Sequence, residues 1–151
     1  SPVERTLPVL LPEFEKPEVL TYSLESTVAE KLDAIISLME ATGRMKDFYD
    51  IYYLATTFDF EGRKLQEAIY ETLSNRGTPY EKDSVIVIAR LAKDNQIQKR
   101  WNNFCKKILK YELDFTDVVN IIVDFTSPPY QSIIEEDEFF KNWRYKDRKY
   151  I

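Results

Sequence analysis

Proline and glycine placement constrains this 151-residue chain more tightly than any other feature. Pro2, Pro8, Pro12 and Pro17 crowd the opening; the next proline is Pro79, and after it only the pair Pro128-Pro129. Proline fixes φ and lacks a backbone donor, so residues 1–22 are expected to be extended and irregular. Thr6–Leu11 and Val19–Tyr22 read there as short edge strands at best. The two long proline-free spans are helical territory. Only Gly43, Gly62 and Gly77 occur and no two are close, so no P-loop, G-x-G-x-x-G turn or nucleophile elbow can be built.

The helices follow from caps and periodicity. The first is expected from Leu24, capped by Ser23, to about Glu40, with Gly43 ending it. The second runs from about Met45 to Thr57, and the third from about Glu61 to Asn75, stopped by Gly77. Ser84–Leu91 is apolar without clean periodicity and is compatible with helix or strand, a short helix being favoured. Asp94 caps a helix to about Lys110, with Ile97, Trp101, Phe104 and Ile108 on one stripe. Asp114 or Thr116 starts another, with Val118, Ile121, Ile122 and Phe125 facing inward. Ser127-Pro128 reads as a cap followed by proline at the first helical position, opening a last helix to about Lys141. The expected fold is mainly α: an extended segment over 1–22 and a helical domain over 23–151.

Composition removes whole classes of chemistry. There is no histidine, which excludes His-dependent triads, His metal sites and His general bases. Cys105 is the single cysteine, so no internal disulfide and no Cys-rich zinc site can form. It reads as a small buried apolar residue, and a reducing, cytoplasmic setting fits it. No apolar run approaches the roughly 18 residues of a transmembrane helix, so no membrane partner is expected. Net charge is -5 but uneven: residues 1–80 hold 8 basic and 14 acidic groups, residues 81–151 hold 13 and 12. A local basic surface in the second half is therefore open. Lys99, Arg100, Lys106, Lys107 and Lys110 form a basic face around Trp101 and Phe104, and Lys141, Arg144, Lys146, Arg148 and Lys149 a basic, aromatic-rich end. Either is able to hold RNA phosphates and stack bases, or to be a solvated face. Tyr49, Tyr52 and Tyr53 read as core or interface.

Two charges sit on the wrong faces. At 100° per residue, Leu24, Val28, Leu32, Ile35, Ile36, Leu38 and Met39 cover one arc of the first helix, and Glu30, Asp33, Ser37 and Glu40 the opposite one. Lys31 falls inside the apolar arc. On the second helix Asp47 projects into the arc of Phe48, Ile51, Tyr52, Leu54, Ala55 and Phe58, while Asp50 lies at its border beside Lys46. A buried Lys31–Asp47 ion pair fixing helix register is the plainest account. A pair that serves a cleft is the functional one.

Ser23–Leu32, with its Ala29-Glu30-Lys31-Leu32 core, followed by Arg44-Met45-Lys46-Asp47-Phe48-Tyr49-Asp50, resembles the AbiEii/AbiGii-type nucleotidyltransferase toxins. Phe58-Asp59-Phe60 and Arg76-Gly77-Thr78 are similar to downstream segments of that family. The likeness is strong over about 21–78 and weaker over 93–125. It implies the C-terminal part of a polymerase β-like nucleotidyltransferase, paired with an antitoxin in toxin–antitoxin and abortive phage infection systems. It implies transfer of nucleotides from NTP to tRNA 3′ ends with Mg²⁺. Lys31 and Asp47 would be the catalytic residues, Lys31 contacting the triphosphate and Asp47 orienting Lys31 or the nucleotide, and Arg44, Lys46 and Asp50 would be substrate-binding.

The family also carries, upstream, a Gly-Ser motif and strand-borne carboxylates that hold two metal ions. No Gly-Ser occurs in this sequence, and the nearest D-x-[DE] is Asp59-Phe60-Glu61, in a turn between helices. No metal ligands are therefore assigned, and Mg²⁺ and NTP are expected only with a longer protein. The chain is expected to be a C-terminal fragment, its opening a remnant of the preceding sheet, inactive alone. The rival expectation is a non-catalytic helical module that binds an antitoxin or nucleic acid.

Overall fold

The computed structural model describes residues 23–151; the extended opening and its two expected strands lie outside the described residues. Five α-helices form the body: α1 (Leu24–Leu38), α2 (Met45–Ala55), α3 (Gly62–Arg76), α4 (Asn95–Phe104) and α5 (Phe115–Ile134). Helix α1 packs against both α2 and α3, and α5 lies across α2, α3 and a 3-10 segment at Ile86–Lys93. Three short strands add an antiparallel sheet, β1 (Phe60–Glu61), β2 (Asn142–Arg144) and β3 (Lys149–Tyr150), in that order. The fold is mainly α, as expected.

Side-chain caps hold the starts of two of the five α-helices, α1 and α4. Ser23 Oγ accepts from the Ser26 amide at 2.9 Å, and Asp94 Oδ1 accepts from the Ile97 amide at 2.9 Å. At the end of α3, Gly77 takes φ 69°, and the Thr78 amide reaches back to the Leu73 carbonyl at 2.9 Å. That turn aims residues 76–78 back at α1. Helix α1 stops at Leu38, earlier than Gly43 suggested, because Met39 turns to φ 45° and starts a one-turn 3-10 segment.

Helix α4 continues into a π turn at Cys105–Leu109. The wider turn shifts the stripe, so Leu109 packs on the core and Ile108, expected inside, is half exposed. Cys105 is buried as expected, and burial pushes its thiol above the usual range.

The C-terminal third departs from expectation. Ser127-Pro128 does not open a new helix; α5 runs unbroken through Pro128 and Pro129 to Ile134, and no helix reaches Lys141. An internal proline removes the bond to the carbonyl four residues back. For Pro129 that carbonyl belongs to Phe125, and Tyr150 Oη donates to it. Burial holds the Tyr150 phenol well above its usual range, so it remains a donor. Residues 142–150 are a hairpin, docked by Trp143, whose fully buried indole donates to the Ala55 carbonyl at 2.7 Å. Gln66 closes the corner: its Nε2 donates to the Asp137 carbonyl at 2.6 Å and its Oε1 accepts from the Phe139 amide at 3.0 Å. Gly62 is required there, since a Cβ would overlap the Lys141 carbonyl.

Tyr150→Phe should cost about 1–3 kcal/mol, because it strips the Phe125 carbonyl of its substitute donor. Urea unfolding checks this, with Tyr145→Phe, on the exposed hairpin turn, changing stability by less than about 0.5 kcal/mol.

Candidate functional site

The misplaced charges meet where α1 crosses α2. Lys31 Nζ lies 3.4 Å from Asp47 Oδ1 and 3.3 Å from Asp50 Oδ2. Both aspartates are almost wholly buried, whereas the lysine side chain keeps 15% of its surface exposed. Arg44, one turn before Asp47 and largely exposed, adds a contact of 3.3 Å from its Nε to Asp47 Oδ2. Two carboxylates therefore face two cations. Asp50 is central to this cluster, not at the border beside Lys46 where the helical wheel puts it. It is three residues from Asp47, hence on the same face, and α1 covers that face.

Lys31 and Asp47 are not sealed between the helices. With Arg44 they line a cleft of about 570 Å³ whose other wall is the turn after α3. There Thr78 Oγ1 donates to Asp33 Oδ1, Arg76 Nε stands 3.7 Å from Asp33 Oδ2, and Arg76 also pairs with Glu30. Asp33 is buried, though the wheel assigns it to the solvent arc of α1. The wheel assumes one covered face, and α1 has two, toward α2 and toward α3. The signal was the segment Arg76-Gly77-Thr78, which is similar to the family but carries no role from spacing alone.

The aromatic residues are packing. Tyr49 is buried against Phe104 and Tyr53, with ring centroids 6.2 and 6.3 Å away, and accepts from Tyr111 Oη at 3.1 Å. Burial first, and the Tyr111 contact second, push its phenol far above the usual range, so it is neutral at physiological pH. Trp101, on the apolar stripe of its helix, is buried and donates to the Leu113 carbonyl at 2.7 Å, so the base-stacking reading of the face around it does not apply to its ring. Its ring packs on Phe104 and Phe115, which leaves no face for a base. Lys99, Lys106, Lys107 and Lys110 are exposed around it, while Arg100 Nη1 donates to the Thr42 carbonyl at 2.8 Å. The basic end is the β2–β3 hairpin, where Arg144 pairs with Asp59 at 3.4 Å. Lys141, Lys146, Arg148 and Lys149 are exposed there.

No three acidic or cysteine side chains converge as a metal-holding group among the described residues. Asp59 accepts from the Tyr145 amide at 3.0 Å and Glu61 pairs with Lys64 at 2.9 Å, so that acidic pair serves the sheet edge. Asp47 and Asp50 are committed to Lys31. The described residues thus do not fit a two-metal carboxylate centre. No helix among them is long and apolar enough to cross a membrane.

A family model described as the nucleotidyl transferase AbiEii toxin of a type IV toxin–antitoxin system matches residues 1–136. The chain belongs to the AbiEii family. No curated protein and no solved structure matches it. The AbiEii match spans the Lys31 cluster, the α3 turn and all of α5, and ends before β2 and β3.

Removing one partner of a buried ion cluster leaves an uncompensated charge. Lys31→Ala should therefore cost about 3–5 kcal/mol by chemical unfolding. Adding Asp50→Asn should restore part of that loss, because one of the two buried carboxylates is then neutral while Asp47 keeps its contact with Arg44.

Proposed function

We propose that these residues form the triphosphate-facing wall of a nucleotidyltransferase site that moves a nucleotide from NTP onto RNA, with tRNA 3′ ends as the acceptor. The observation that carries the reading is the setting of Lys31: two buried carboxylates hold it, yet its ammonium borders an open cleft. In such a transfer the RNA 3′ hydroxyl attacks the α-phosphorus and the bond to pyrophosphate breaks. Negative charge accumulates on the departing oxygens, and a fixed cation stabilises that charge more than it stabilises the bound NTP. Asp47 and Asp50 position the ammonium, so little reorganisation is needed when the charge develops. Arg44 and Arg76 stand on either side of the same cleft and suit the remaining phosphate charge. Lys46 lies in the first turn of α2 and lines the groove next to this cleft, which Arg44 also lines.

Mg²⁺ would supply charge neutralisation at the reacting phosphate, and carboxylates beyond the described set would have to hold it. Since the family's Gly-Ser motif is missing from the sequence, these 151 residues alone are expected to be inactive. An antitoxin is the partner that a type IV system implies. The structural alternative, Lys31 as register glue, is favoured by the depth of its two carboxylates.

Label transfer from α-³²P NTP to tRNA with Mg²⁺, using the complete gene product, separates the two. Lys31→Met combined with Asp50→Asn removes the cation without stranding both acids. The proposal expects this pair to remain folded and to lose about a hundredfold or more in rate. Activity near wild type in the folded double variant would leave Lys31 with a structural role only.

A further inference from the structure

Beside the Lys31 cleft, on the other side of Arg44, runs a second groove of about 420 Å³. One wall is the start of α2, with Arg44 and Lys46; the other is the end of α4 and its π turn, with Arg100, Lys107 and Ile108. Four of its lining residues are cations and none is acidic. The neighbouring clefts differ: Glu30, Asp33 and Asp47 line the Lys31 cleft, Glu81 and Asp83 another beside it, and Glu112 and Asp114 a third. In a chain of net charge -5, an acid-free groove concentrates positive potential that the three clefts with acidic linings do not.

The groove also has an apolar ledge. The π turn rotates Ile108 out of the core, leaving it half exposed, and Phe104 lies partly exposed beside it. Cations alternating with an apolar ledge match one polymer chemistry: an unpaired nucleic-acid strand, whose phosphates need cations and whose bases need an apolar face. Arg44 lines both the groove and the Lys31 cleft, so a strand in the first has its end beside the second. Arg100, tied to the Thr42 carbonyl, forms a fixed part of the wall, while Lys107 is exposed at the rim.

We infer that this groove binds the phosphate backbone of the acceptor RNA's 3′ strand, with Ile108 and Phe104 under an unpaired base, and delivers its end to Lys31. The inference rests on the nucleotidyltransferase reading and adds the path of the acceptor to it.

The test is fluorescence anisotropy of a labelled RNA stem with an unpaired 3′ extension, bound to the complete gene product without NTP. Lys107→Ala should weaken binding several-fold and lower the slope of log K against log salt by about one. Lys107→Glu should weaken it further, and Ile108→Ser should weaken the extended stem more than a blunt one. Lys82→Glu, the same charge change in a different cleft, should stay within about twofold of wild type, and so should NTP affinity in every Lys107 variant. Unchanged RNA affinity and slope in Lys107→Glu would overturn the inference. Equal loss in Lys82→Glu would overturn it too, as would weaker NTP or antitoxin binding with RNA unaffected. Binding is read without turnover, so a protein that fails to transfer nucleotides still decides the groove. An active protein with Lys107-independent RNA binding would keep the transferase reading and discard this one.

Discussion

Two carboxylates with almost no contact with water, facing one lysine across the α1–α2 crossing, set the terms for the rest of the molecule. Charges taken out of water are costly unless they are paired, so α1 and α2 have little freedom to slide past each other. The other face of α1 is fixed in the same manner, by Asp33 with Thr78 and Arg76 at the end of α3. Polar contacts on both sides of one helix leave its middle turns lining an open cleft, while Val28, Ala29, Leu32 and Ile35 remain fully buried. The cleft is thus a consequence of how the helices are registered.

Lys31 and Asp47 were legible in the sequence because each breaks an otherwise clear apolar stripe. Asp33 was not, and Asp50 was named by the family resemblance but set by the wheel at a border, because a wheel with one buried face cannot represent a helix flanked by two others. Local rules also misread Ser127-Pro128. They describe a helix start correctly, but here a tyrosine twenty-odd residues later supplies the donor that proline lacks, and the helix continues. The hairpin was hidden for a different reason. Strands of two or three residues carry no usable alternation, and Trp143 sits in a run of charged neighbours that reads as solvated surface. Trp101 shows the converse: a tryptophan among lysines looks like a base-stacking platform, and its indole instead closes a bond to Leu113 inside the core.

The charge distribution links these features to the activity of the AbiEii family. The Lys31 cleft mixes acids with cations, which suits holding a cation at a fixed angle to a phosphate chain. The groove across Arg44 has cations as its only charged residues, which suits a polymer that must slide in and leave. The π turn at the end of α4 serves that second role by moving Ile108 from the core to the surface.

The most direct test of the central claim, that Lys31 meets the nucleotide, is lysine side-chain ¹H–¹⁵N spectroscopy of the complete gene product. The Nζ resonance of Lys31, assigned by its loss in Lys31→Arg, should shift saturably on titration with NTP and far less with the nucleoside monophosphate. A Lys31 resonance that stays in place while NTP binds would contradict the account.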